Sequence, residues 1–377
     1  MAKVIIACIG GFLGAGKTTA LRAAALELGS RAMKVGIITN DQGSGLVDTK
    51  SIEDLNLPTR EISGGCFCCK FEDLVEQAEQ ILDQERPDII LAEAVGSCTD
   101  LSATVYQPLR KYYRHQFDLA PLTILVEPDR IRALMEDNDK GDNGDNGDNG
   151  FPDAVRYLFE KQLAEADLIV LNKVDTVDPV VAAELANRLS SLTDDIPVQL
   201  MSAVTREGVA AWVDSLLNNR AAGEHILDID YNLYAQAEAA LGWLNATVEV
   251  TAPHDFSPRD LAGSLIRRLQ RSVVAAGMDI AHLKILVATD TETDHIALTT
   301  NRGRPRWSGG ESFPNVREMS LMINARIHAT PEALTQVTED SLAASEADFG
   351  VKTKVEHLES FSPLPPKPRY RMTEKTL

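Results

Sequence analysis

The sequence predicts an α/β fold, a doubly wound and mostly parallel sheet over residues 1–220, with a smaller C-terminal α+β domain over residues 224–346. Three observations carry this expectation. Short apolar runs alternate with amphipathic helical patterns through the first part of the chain, which is the rhythm of βαβ units. A glycine-rich loop separates the first apolar run from the first helical pattern. From about Glu224 onward the rhythm changes to strands of alternating polarity interrupted by two longer helices. A chain of 377 residues has room for both units.

In order, Val4–Ile9, Lys34–Thr39, Pro87–Ala92, Leu122–Val126, Leu168–Leu171 and Pro197–Met201 are apolar runs of strand length, uniform enough to be buried on both faces. Between them Thr18–Leu28, Glu72–Glu85, Asp153–Glu165 and Val180–Leu192 repeat apolar residues at three and four, as helices lying on a sheet do. In the second part Leu244–Val250, Leu283–Thr289, His295–Thr299 and Met319–Ala329 read as strands. Ser257–Ala276, opened by Ser257-Pro258, and Pro331–Ser345 read as helices, so a helix-backed antiparallel sheet is expected. Residues 351–377 carry Pro363, Pro365, Pro366 and Pro368 with six basic against three acidic residues. They predict a disordered, basic tail lying against its own acidic body, with a partner-binding Pro-rich motif as the other reading. The tract Gly141–Gly150, GDNGDNGDNG, offers no register of calcium-loop ligands and predicts a disordered, solvated insertion at 137–150.

Composition narrows the function. With 37 Lys+Arg against 56 Asp+Glu the net charge is -19, which argues against nucleic acid or an anionic membrane as the main partner. No apolar run approaches the length of a membrane span, and the glycine loop begins before any signal-peptide cleavage pattern, so a cytoplasmic protein is expected. Of the five cysteines, Cys66, Cys68 and Cys69 sit too close together to close long disulfide loops. A reducing compartment and a metal or redox role fit them better. Cys8 lies inside the first strand and reads as core.

The sharpest motif is Gly11-Phe12-Leu13-Gly14-Ala15-Gly16-Lys17-Thr18, a complete GxxxxGK(S/T) followed by Thr19 and lying between a strand and a helical run. Its glycines let backbone N–H groups face phosphate at a helix N-terminus, Lys17 reaches the β and γ oxygens, and the Thr18 hydroxyl ligates Mg²⁺. The base is addressed by Asn172-Lys173-Val174-Asp175, an NKxD after a buried strand. A carboxylate at Asp175 accepts both N1–H and the exocyclic amine of guanine, whereas adenine offers it an acceptor. Ser202-Ala203 closes the next strand, where a backbone N–H is expected to meet the guanine carbonyl. NKxD alone also serves as a helix cap, but in this order after a phosphate loop it indicates GTP.

The third motif is Gly64-Gly65-Cys66-Phe67-Cys68-Cys69. Thiols at i, i+2 and i+3 beyond a Gly-Gly turn can converge on one borderline or soft cation, Zn²⁺ or another divalent transition metal, leaving one tetrahedral position open. Buried structural cysteines and a redox pair are the alternatives, and the stretch has no CxxC.

With these motifs the chain resembles the CobW-type P-loop GTPases, relatives of the nickel-insertion GTPases that serve urease and hydrogenase. The resemblance is strong over about residues 4–215 and weak beyond. It rests on GGFLGAGKTT at Gly10–Thr19, NDQG at Asn40–Gly43 with the later Asp48, GGCFCC at Gly64–Cys69, ExxG at Glu93–Gly96, and LNKVD after them. It implies a P-loop GTPase domain acting as a GTP-driven metallochaperone or metal-insertase that delivers its ion to a client metalloprotein or corrinoid protein. It also implies that Glu93 holds Mg²⁺ through water and that Asp41 touches Mg²⁺ or orients the attacking water. The segment after ExxG, Ser97-Cys98-Thr99-Asp100, departs from the family in lacking a nearby proline, and no His-rich tract occurs.

Cys98 is read two ways. Two residues beyond ExxG, it is placed to act as a fourth thiol whose approach to CxCC depends on the nucleotide; equally, it reads as a small residue packed under the sheet edge. A nucleotide-dependent homodimer is a further expectation. The competing classes are a P-loop kinase with a structural CxCC and a GTP-regulated scaffold in which metal only stabilises the fold.

Overall fold

The structure is a computed structural model that describes residues 3–41, 57–140, 153–219, 221–309 and 313–376. Its contacts divide the chain into a first unit, which runs through Ala237 and resumes at Pro365, and a second unit, Glu238–Leu364.

The first unit begins with β1 (Val4–Gly10), α1 (Lys17–Ser30), β2 (Val35–Asp41), β3 (Thr59–Ser63), α2 (Phe71–Glu85) and β4 (Ile89–Glu93). A π-helical turn, Ser102–Tyr106, runs into α3 (Gln107–Tyr112), followed by β5 (Phe117–Leu119), β6 (Thr123–Val126), α4 (Pro128–Lys140) and α5 (Asp153–Ala164). Then come β7 (Leu168–Leu171), α6 (Pro179–Leu192), β8 (Val198–Leu200), α7 (Val209–Asn218) and α8 (Tyr231–Ala239). The strands form one sheet in the order β3-β2-β4-β1-β6-β7-β8, with β5 also beside β1. Every pairing in it is parallel. All residues of β4, β6 and β7 are buried, which is why these strands read as unbroken apolar runs. Chain order reverses around β1, with β4 and β2 on one side and β6 and β7 on the other. That switch point is where an open α/β sheet presents its binding crevice.

The second unit continues with β9 (Leu241–Phe256), α9 (Pro258–Ala275), β10 (Asp279–Ala288), β11 (Thr293–Leu298), β12 (Arg306–Trp307), β13 (Val316–His328), α10 (Pro331–Phe349) and β14 (Lys352–Phe361). Its sheet has the order β12-β11-β10-β13-β9-β14 and is antiparallel throughout. One face packs on the helices, joining Leu265, Leu269, Leu334 and Leu342 to Val248, Ile285, Leu321 and Ile323. Both helices start as the sequence signals: Ser257 Oγ accepts from Asp260 N–H and Thr330 Oγ1 from Ala333 N–H, each with proline next in the chain.

Three expectations about domain limits are corrected. The first unit extends past residue 220 to Ala237, because Ile229, Tyr234 and Ala237 pack on Leu158 of α5. The tail is not one disordered segment: Lys352–Phe361 is a strand paired with β9, and residues 365–376 lie on the first unit. The expected insertion at 137–150 loses its first residues to α4, which runs to Lys140, and Gly141–Gly150 lies outside the described residues. No described helix is long and apolar enough to cross a membrane.

Glu165, just past α5, is fully enclosed and accepts from Thr99 Oγ1 (3.0 Å) and Ser102 N–H (3.3 Å). Burial, reinforced by the nearby Asp100 charge, pushes its carboxyl up to about 8 from an ordinary 4.5. Between those values the folded chain holds a proton that the unfolded chain has lost. Stability therefore falls as pH rises through that window, by at most about 1.4 kcal/mol per pH unit. Glu165→Gln cannot titrate. Denaturant unfolding of the variant and the wild type from pH 5 to 8 should show the difference moving steadily in the variant's favour; a constant difference would contradict the buried proton.

Candidate nucleotide and metal site

The loop leaving β1 is forced into shape by its glycines. Gly11 has φ +127°, and a side chain there would run into the backbone of Leu125. Gly14 and Gly16 also have positive φ, and a Cβ on Gly16 would lie 2.6 Å from Asn172 Nδ2. The loop thus wraps closely against Leu125 and Asn172 at the start of α1, with Ala15 N–H donating to Phe12 O (3.1 Å). Buried Lys17 curls back over it, donating from Nζ to Gly11 O (2.9 Å) and Phe12 O (3.5 Å). Thr19 follows in the first turn of α1.

Thr18 Oγ1 donates to Glu93 Oε1 at 3.0 Å, which brings together the two oxygen donors expected for Mg²⁺. Glu93 ends β4, which pairs with β1 through Ile9 opposite Glu93, so the sheet register sets this distance. A hydroxyl and a carboxylate side by side at a phosphate loop suit a hard oxygen-seeking cation. Asp41 ends β2; its side chain, and Gln42, Gly43 and Asp48, lie outside the described residues.

At the other end of the crevice Asn172 clamps two loops. Its Nδ2 donates to Ala15 O (2.9 Å) and its Oδ1 accepts from Ala203 N–H (3.0 Å), so its side chain positions the phosphate loop. Lys173, at φ +61°, donates from Nζ to Gly14 O and to Glu127 Oε2, both at 2.6 Å. Glu127 is a partner that motif reading missed, although an acid directly after the apolar run to Val126 was the available signal. Asp175 Oδ1 accepts from Ser202 Oγ at 2.6 Å, which fixes the carboxylate at the mouth of β7 and β8. Next to it Ser202 N–H donates to Glu207 O (2.9 Å) and Ala203 N–H to Asn172 Oδ1 (3.0 Å).

The cysteine loop follows β3. Gly64, at φ +74°, reverses the chain, and Cys69 and Lys70 N–H both return to Cys66 O, so the loop coils into the start of α2. Fully buried Phe67 anchors it between the buried Cys66 and Cys68. Cys66 Sγ lies 2.7 Å from Cys68 Sγ and 3.6 Å from Cys69 Sγ, and Cys68 Sγ lies 3.8 Å from Cys69 Sγ. Sulfurs about 2.3 Å from a tetrahedral Zn²⁺ stand about 3.8 Å apart, so two of the three edges match that geometry. This is the one such cluster of potential metal ligands among the described residues.

The cluster also holds protons tightly. Hydrogen bonds from Cys68 and Cys69 pull the Cys66 thiol down, but the neighbouring Cys98 thiol and burial outweigh them and raise it. Cys68 is raised well above the usual thiol range by its contacts with Cys66, Cys69 and Cys98, and by burial. Cys69 is raised by Cys66 and by burial, against the lowering effect of hydrogen bonds from Cys68 and the Lys367 N–H. Cys98 is therefore a neighbour of Cys66 and Cys68, and it is fully buried. Gln162 Nε2 holds its loop by donating to Gly96 O (3.0 Å) and Cys98 O (2.9 Å). A link invisible in the motifs joins the two sites: Asn40 Nδ2 donates to Ile62 O (3.0 Å) and Gly65 O (2.6 Å), tying the end of β2 to the turn before Cys66.

Residues 5–199 match the family model described as CobW/HypB/UreG, nucleotide-binding domain. The zinc chaperone CobW of Sinorhizobium sp is 29% identical over 241 residues, covering 58% of this chain and 66% of the relative. The zinc chaperone YeiR of Escherichia coli is 31% identical over 179 residues, covering 45% of this chain and 47% of the relative. The chain thus spans between about half and two thirds of the length of these relatives. Among solved structures, HypB from Helicobacter pylori in complex with nickel is similar at a TM-score of 0.41 and 15% identity, over 60% of this chain and 91% of that one.

The clamp at Asn172 can be measured. Asn172→Ala leaves Ala15 O and Ala203 N–H without their partner, a loss of about 1–3 kcal/mol at a buried site. Fluorescent-nucleotide titration should show affinity reduced by about tenfold or more, with the folded state retained on circular dichroism. Unchanged affinity would mean the loop is shaped without the clamp.

Proposed function

Because the chain belongs to the CobW/HypB/UreG family of nucleotide-binding domains, we propose that it is a GTP-hydrolysing metallochaperone. Its cargo is one divalent transition metal ion, with zinc first in view of the names of its relatives. Cys66, Cys68 and Cys69 take the ion, with Cys98 beside them as the fourth thiol. It passes to a client, a metalloprotein or corrinoid enzyme, and a nucleotide-dependent homodimer is the state in which GTP would act. The observation that carries this reading is the three-sulfur cluster, tied through the Gly65 turn to Asn40 at the end of β2.

The residues divide the work. Backbone N–H groups from Gly11 to Thr18 and the Lys17 ammonium receive the β and γ phosphates, and Asp175 selects guanine. Mg²⁺, held by Thr18 and Glu93, would supply charge neutralisation on the phosphate oxygens. Asp41 orients the attacking water. A γ-phosphate that repositions the end of β2 also pulls on Gly65 through Asn40 and changes how the sulfurs stand. Thermodynamic reciprocity then requires metal to alter nucleotide affinity by the factor with which nucleotide alters metal affinity.

Two experiments test this function. Wild-type protein should bind GTP well in preference to ATP, and Asp175→Asn should shift the preference toward xanthine nucleotide, since an amide donates where the carboxylate accepted. Lys17→Ala should abolish turnover. Equal GTP and ATP affinities would refute the base assignment. For the cargo, equilibrium dialysis should find one zinc per chain, lost when Cys66, Cys68 and Cys69 are all serine. The raised thiols must shed protons as the ion enters, so affinity should rise by more than about tenfold per pH unit through neutrality. Unchanged zinc content in the triple-serine protein would put the ion elsewhere.

A further inference from the structure

The basic C-terminal segment rests directly on the thiol site. Lys367 N–H donates to Cys69 Sγ at 3.2 Å, and Arg369 N–H donates to Cys68 O at 2.9 Å. Cys69 is the one half-open member of the cluster, so the segment lies over the sulfur through which an ion would come and go. Beyond it Tyr370 packs edge-on against Phe71 (5.3 Å) and at a tilt against Tyr112 (5.5 Å). Arg369 pairs with Glu72, Arg371 with buried Asp100, and Lys375 with Glu224, at 2.7, 2.7 and 2.9 Å. Arg371 also donates to Leu227 O, and Met372 N–H to Ala103 O. Pro365, Pro366 and Pro368 restrict the backbone before and at the crossing, which reduces the entropy lost on seating.

We propose that the acidic and aromatic groove formed by Cys66–Cys69, α2, α3 and Asp100 is a docking surface for an extended proline-, arginine- and tyrosine-bearing segment, which residues 365–376 occupy in cis as a strap over Cys69. Half-exposed ion pairs hold most of the strap and contribute little individually, so it can leave without unfolding the sheet beneath. Its deepest anchor, Asp100, lies on the loop that leaves Glu93 and Gly96, so a nucleotide-dependent shift of that loop reaches the strap through Arg371. A client segment of the same chemistry would take the vacated groove next to the thiols. This deepens the metallochaperone reading and rests on it for its biological sense, while the occlusion of Cys69 is measurable without metal.

The test uses metal-free protein and a small maleimide, with mass spectrometry reporting modification at Cys69. Truncation after Leu364 should speed labelling of Cys69 at least tenfold, and Arg371→Gln in the full-length chain should speed it severalfold. A synthetic peptide of residues 363–377 should bind the truncated protein and restore protection, and a peptide carrying Arg371→Gln should not. Equal labelling rates in the wild type, the truncation and Arg371→Gln would overturn the strap. A peptide that fails to bind the truncated chain would overturn the docking groove. Zinc binding measured in parallel separates the two readings: a strap that protects Cys69 in a protein that takes no zinc leaves the occlusion standing and removes the chaperone.

Discussion

Every pairing in the first sheet is parallel, and the rest of the site depends on that constraint. Parallel strands all leave the sheet at the same edge, so the loops after β1, β3, β4, β6, β7 and β8 open side by side. The phosphate loop, the cysteine loop, Glu93, Glu127, the NKxD run and Ser202 follow those strands in turn, and β2 ends at the same edge with Asp41. No long-range motif is needed to bring them together. The register of β1 against β4 sets Glu93 opposite Ile9 and so within hydrogen-bond reach of Thr18 in the first turn of α1. Slip that register by one residue and Glu93 would turn to the other face of the sheet.

The cysteine loop shows the same economy with a different cost. Three sulfurs within hydrogen-bonding distance cannot all be thiolates beside one another in a buried setting, so the cluster keeps its protons until a cation replaces them. The fold creates this crowding through local geometry alone: a left-handed Gly64, a coil returning to Cys66 O, and an inward Phe67. The convergence of the three sulfurs follows from backbone hydrogen bonds and a turn within a single short loop.

What could be read from the sequence was what is encoded locally. Uniform apolar runs gave β4, β6 and β7, Ser257-Pro258 gave the start of α9, and adjacency in the chain gave the thiol cluster. Features decided by a distant partner were not legible. Thr59–Ser63 is a half-exposed edge strand whose pairing comes from β2, and Lys352–Phe361 is a charged edge strand whose pairing comes from β9. Both look like solvated loop because an edge strand takes its ladder from its neighbour and needs little apolar content of its own. The limit of the first unit at Ala237 was hidden for a related reason. Tyr234 belongs there through its burial against Leu158 and the hydrogen bond that its hydroxyl accepts from Thr99 N–H, contacts with no signature near residue 234.

Asn40 makes the strongest case for reading motifs as connected groups. In the sequence it is the first letter of NDQG, and its neighbour Asp41 draws the chemical attention. In the fold the Asn40 amide spans two carbonyls, Ile62 O and Gly65 O, on the strand and turn that lead into CxCC. One of those bonds is buried and the other partly buried, and together they tie the turn before Cys66 to the end of β2. Asp41 is the very next residue. On the proposed function, whatever draws Asp41 toward a γ-phosphate displaces the donor that fixes Gly65, and whatever draws the sulfurs around an ion displaces its acceptor. Two sites share one side chain, and a coupling of either sign needs no longer path than this.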